Sequence, residues 1–121
     1  MVIVPDFLIK RIYQKGSLKK LDNGASIGLK NVLGPGFISG FNYVKINDVT
    51  YEAKDVKFIM NGKEYTSADV SEENPIAFRL GQAGTLVMTG CQSVTDGVNK
   101  ITIEALNPEA GVVKLSVEDT V

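Results

Sequence analysis

The sequence predicts an all-β chain, an antiparallel β-sandwich of about eight or nine strands, with a closed barrel as the alternative. Three observations carry that expectation. Apolar and polar residues alternate with a period of two, most clearly where Ile101, Ile103 and Ala105 interleave with Lys100, Thr102 and Glu104. Asn23-Gly24, Asn61-Gly62 and Asp96-Gly97 supply residues that tolerate positive φ, as tight hairpins require. Helix-forming stretches are nearly absent, and the whole chain, 1–121, reads as a single β-sandwich domain.

Taken in order, the first expected strand is Phe7 to Gln14, where Ile9, Ile12 and Tyr13 mix with basic residues. Ala25 to Val32 follows, and Phe37 to Ile46 is the longest. Asp55 to Met60 turns through Asn61-Gly62 into Glu64 to Thr66, the plainest hairpin in the chain. Ile76 to Leu80 and Thr85 to Thr89 precede a final pair, Val98 to Leu106 and Val112 to Val117, joined across Asn107-Pro108-Glu109-Ala110-Gly111. One helical turn at most is expected, from Ser67 or Ser71, because Pro75 cuts it short.

Composition narrows the functional classes. The 121 residues carry a net charge of −1 and no histidine. Such a balance lacks the basic footprint of a nucleic-acid-binding protein. Without histidine, neither a Ser-His-Asp nor a Cys-His arrangement can be built from this chain. No apolar run is long enough for a transmembrane helix, and the opening Met1-Val2-Ile3-Val4-Pro5 lacks the form of a signal peptide. A lone cysteine, Cys91, cannot make an internal disulfide. A cytoplasmic location is therefore expected, with no membrane and no nucleic acid among the partners.

Candidate sites are few. Lys10, Arg11, Lys15, Lys19 and Lys20 face only Asp6 in the first twenty residues, which suits a lysine-guarded edge or a docking arm for an acidic surface. Asp48, Glu52, Asp55, Glu64, Glu104 and Glu118 could supply a carboxylate pair, but nearly all fall on the wet faces of strands. Ser71-Glu72-Glu73-Asn74 lacks the spaced ligands of a calcium loop. Phe41, Tyr43 and Tyr51 could line a shallow sugar site. No catalytic residue and no metal ligand is assigned. Leu33, Gly34, Pro35 and Gly36 differ in kind: two glycines around a proline form a loop with a rigid centre whose backbone can approach another surface. These four are the expected partner contact.

The runs Gly16-Ser17-Leu18-Lys19-Lys20, Leu29 to Phe37, Lys45 to Tyr51, Gly97 to Glu104 and Val117 to Val121 together resemble the small (β) subunit of bacterial C-glycoside deglycosidases. That resemblance implies a non-catalytic subunit of a heteromeric carbon–carbon lyase that detaches a 3-oxo sugar from an aromatic, flavonoid-type aglycone. It implies a larger TIM-barrel catalytic subunit as partner, with a divalent metal, manganese, held there. No cofactor would sit in this chain. Stabilising an enolate by metal coordination is sound chemistry for such a cleavage. Two other readings stand beside it: a free-standing carbohydrate- or ligand-binding module, and a structural homo-oligomer.

Overall fold

Burial alternates over Val56–Met60 and from Val98 to Ile103, and the inward faces, Val56, Phe58 and Met60 with Ile101 and Ile103, build the core. The computed structural model describes residues 5–121. A helical turn α1 (Asp6–Ile9) runs into a tighter turn, Lys10–Ile12. Then come β1 (Lys19–Leu21), β2 (Gly24–Lys30), β3 (Gly36–Ile38), β4 (Gly40–Ile46) and β5 (Val49–Glu52). After a short turn at Ala53–Asp55 follow β6 (Val56–Met60), β7 (Lys63–Tyr65), β8 (Ile76–Phe78), β9 (Ala83–Thr89), β10 (Val98–Asn107) and β11 (Gly111–Thr120).

Among the described residues these strands form three antiparallel sheets: five strands in the order β1-β2-β9-β6-β7, four in the order β11-β10-β4-β5, and the pair β3-β8. The all-β expectation holds, with eleven strands among the described residues rather than about eight or nine. Ile27, Phe58, Leu86 and Met88 from the larger sheet and Val44, Ile46 and Ile101 from the other are wholly enclosed and share one core. Phe58 anchors it, edge-on to Phe78 at 5.6 Å and tilted against Phe41 at 5.7 Å. Gly84 leaves room for that ring, since a Cβ there would overlap it. Among the described residues no helix is long and apolar enough to cross a membrane.

Several segments differ from expectation for identifiable reasons. The Asn61-Gly62 hairpin forms as expected, Met60 opposite Lys63, with φ of 54° and 77° at its two turn residues. Phe7 to Gln14 is not a strand. Leu8 and Ile9 donate to the Pro5 carbonyl, opening a helical turn, and only Tyr13 bridges to Leu29. Phe37 to Ile46 is two strands in different sheets, parted at Ser39, whose N–H donates to the Leu106 carbonyl. The helical turn after Ser67 or Ser71 is replaced by side-chain turns: Asp69 accepts from the Thr66 N–H and hydroxyl, and Ser71 from the Asn74 N–H.

Candidate functional site

One end of the sandwich is left open. Leu29 of β2, Phe78 of β8, Ile103 of β10 and Leu115 of β11 form the floor of an apolar cleft of about 640 Å³ where the three sheets meet. Residues 5–12, which we call the strap, make one wall with Leu8, Ile9 and Ile12. The opposite wall is the Leu33-Gly34-Pro35-Gly36 loop with Phe37 and Ile38 of β3. Polar groups are confined to Asn31 beneath that loop and to Arg11, Asn107 and Glu109. A volume of this size with few polar groups is typical of a binding cleft. Three of its lining residues are apolar and exposed: Phe37 at 50%, Val32 at 40% and Leu33 at 37%.

Two asparagines hold the mouth in shape. Asn31 is buried; its Nδ2 donates to the carbonyls of Gly34 and Phe78 at 2.5 and 2.6 Å, while its Oδ1 accepts from the N–H groups of Leu33 and Gly34. The loop is thus tied to β8 by a single side chain that satisfies its backbone internally. Asn107 does the same across the mouth: Nδ2 donates to the Phe37 carbonyl, and Oδ1 accepts from Glu109 and Ala110. The walls are therefore pre-formed, and the apolar side chains above them face outward.

The strap is fixed at its far end by a buried carboxylate. Asp119 accepts from the Tyr13 hydroxyl at 2.5 Å and from the N–H groups of Gly16 and Leu18. Burial alone would raise the Asp119 carboxyl, but hydrogen bonds from Tyr13, Leu18, Thr120 and Gly16 outweigh it and hold the group below the usual carboxylate range. Burial and the neighbouring Asp119 hold the Tyr13 phenol above its ordinary value. Tyr51 is likewise raised, by burial first and then by Cys91, and its hydroxyl sits 2.7 Å from that of Ser93. These polar clusters are internally satisfied: among the described residues every buried side-chain nitrogen and oxygen has a partner.

The other sequence candidates disperse. Phe41 packs on Phe58 at the cleft, Tyr51 is buried, and Tyr43 lies between Glu104 and Glu52 in the register of the smaller sheet, so no sugar platform assembles. Glu64 pairs with Lys57 at 3.3 Å, and Glu104 accepts from Asn42. Among the described residues no group of three potential metal ligands comes together. The basic N-terminal charges divide, Arg11 lining the cleft and Lys20 pairing with Asp96 at 3.2 Å. Of the candidates, Leu33, Gly34, Pro35 and Gly36 are the set that the fold brings to one place, the cleft wall. Asn31, Asn107, Tyr13 and Asp119 went unnoticed in the sequence. An asparagine two residues ahead of the glycine-bracketed loop was the available signal for the first.

Fold and cleft together define an all-β domain with an apolar cleft and, among its described residues, no group of three potential metal ligands. The chain matches the family described as hydroxymethylglutaryl-CoA reductase, N-terminal domain, over residues 8–121, and it belongs to that family. No curated protein matches the chain. The family match overturns the resemblance to a C-glycoside deglycosidase β subunit, and with it the carbon–carbon lyase function and the flavonoid-type substrate. That resemblance rested on the order of strands and turns, a texture that many antiparallel chains share. The barrel subunit and its manganese entered as implications of it and lose that support.

Proposed function

We propose that this chain is a docking domain of a hydroxymethylglutaryl-CoA reductase-type protein, and that the reductive chemistry lies on the remaining polypeptide. The observation that carries the proposal is the pre-formed apolar cleft, with Val32, Leu33 and Phe37 of its lining exposed. The family match supports it by relating the chain to an N-terminal domain of that reductase. In this reading an apolar segment of the catalytic portion fills the cleft, and Leu33, Gly34, Pro35 and Gly36 are contact residues. Aromatic side chains at the centre of such a contact supply most of the affinity, so Phe37 is the anchor. Arg11, at the cleft, favours an acidic residue beside the apolar segment. We place the domain in the cytoplasm, which its single, buried cysteine supports.

The test is to mix the chain with the catalytic portion of the reductase-type protein from the same source and follow complex formation by light scattering. The isolated chain is expected not to reduce hydroxymethylglutaryl-CoA, and the mixture to form a complex. Phe37→Asp should weaken it at least tenfold, whereas Val98→Asp, an equally exposed apolar residue on β10 outside the cleft, should leave it intact. Equal binding by the two variants would remove the cleft from the account. Turnover by the isolated chain would remove the docking role.

A further inference from the structure

The second open feature lies away from the cleft and does not depend on the family reading. Strand β11, ten residues long, has β10 on one side and, among the described residues, no strand on the other. Gly97 and Val121 exchange both backbone hydrogen bonds, so in the antiparallel ladder the odd-numbered residues of β11 bond to β10. The N–H and C=O groups of Val112, Lys114, Ser116 and Glu118 therefore point to the free edge. A flat edge of this length templates another strand unless it is guarded.

We propose that β11 pairs antiparallel with β11 of a second copy of this chain, across a two-fold axis at Ser116. The sequence around Ser116 is complementary to itself in that arrangement. Centred there, Lys114 stands opposite Glu118 of the second copy and Glu118 opposite its Lys114, both on the solvent face. Within one chain Lys114 already neighbours Glu104, and Glu118 neighbours Lys100. Each row across the joined sheet therefore alternates in sign: Glu104, Lys114, then Glu118 and Lys100 of the second copy. The central row is hydroxyl throughout, because Thr102 and Ser116 sit 3.2 Å apart in each copy. On the inner face Leu115 meets Val117 of the second copy. Registers centred on Lys114 or on Glu118 would set like charges face to face, which selects this one. Such a contact is isologous and closed, so it yields a dimer and not a fibre.

Sedimentation of the chain at micromolar concentration tests this. The native chain is expected to dimerise, with association weakening as salt is raised. Ser116→Pro removes an N–H that the folded monomer does not use, and it should weaken association at least tenfold with the circular dichroism unchanged. Ser116→Cys should give a disulfide-linked dimer on mild oxidation, since facing Cα atoms about 5.5 Å apart lie within bridging range. The native chain, whose Cys91 is buried, should give none. A native chain that stays monomeric at hundreds of micromolar would overturn the proposal. So would a dimer indifferent to Ser116→Pro, or a Ser116→Cys variant that fails to cross-link.

Discussion

The N-terminal strap meets the sandwich in two places that are built on opposite principles. At its far end, around Asp119, one carboxylate takes up the hydroxyl of Tyr13 and the N–H groups of Gly16 and Leu18, and nothing polar is left over. At its near end Leu8, Ile9 and Ile12 wall an apolar cleft that no other described residue fills, with Phe37 exposed in its lining. Both ends hold uncommon residues for their surroundings. The difference teaches how to sort them: groups whose interactions close within the chain serve the fold, and surface left unused after closure is available for binding.

Breaking the closed end should have the largest effect. Asp119→Ala removes the acceptor of four donors, from Tyr13, Gly16, Leu18 and Thr120, and should cost about 3 kcal/mol of stability, read from urea unfolding. Its pH dependence gives a sharper signature. Asp119 titrates below its ordinary value when folded, so its contribution is present above about pH 4 and is lost as pH falls through the lowered value. Tyr13 is raised, so its contribution is present below about pH 10 and is lost as pH climbs further. Stability should therefore fall at both extremes. Asp119→Asn should flatten the acid limb in part, Asp69 being lowered as well by the Thr66 N–H and hydroxyl, and Tyr13→Phe should flatten the alkaline limb.

Asn31→Ala should have a smaller effect, about 1–2 kcal/mol, because two of its partners lie in a loop that can turn to water. It should speed amide exchange at Leu33 and Gly34 while leaving β10 and β11 protected. Equal loss of protection everywhere would mean that Asn31 supports the fold at large and not the cleft mouth.

How much of this was legible in the sequence follows from how local each signal is. The β6–β7 hairpin and the β10–β11 pair were readable because period and turn chemistry act over a few residues. The strap was misread although Ile9, Ile12 and Tyr13 carry the i, i+3, i+4 spacing of a helical face, with Pro5 ahead of them. Seven or so residues of mixed pattern fit a strand as readily as a helix. The Leu33 to Gly36 loop could be singled out, since a glycine-bracketed proline stands out anywhere, but its position at a cleft could not. That position depends on Asn31 reaching Phe78, 47 residues away, and on Asp119 holding Tyr13, 106 residues away. Neither long-range pairing leaves a mark on local periodicity.

The most direct test of the docking account is amide hydrogen exchange of the chain with and without the catalytic portion of its reductase-type protein. The account predicts added protection at the strap, residues 5–12, and at Leu33 to Ile38, with the β6–β7 hairpin unchanged. Protection confined to the hairpin, or none at the cleft in a complex that forms, would contradict it.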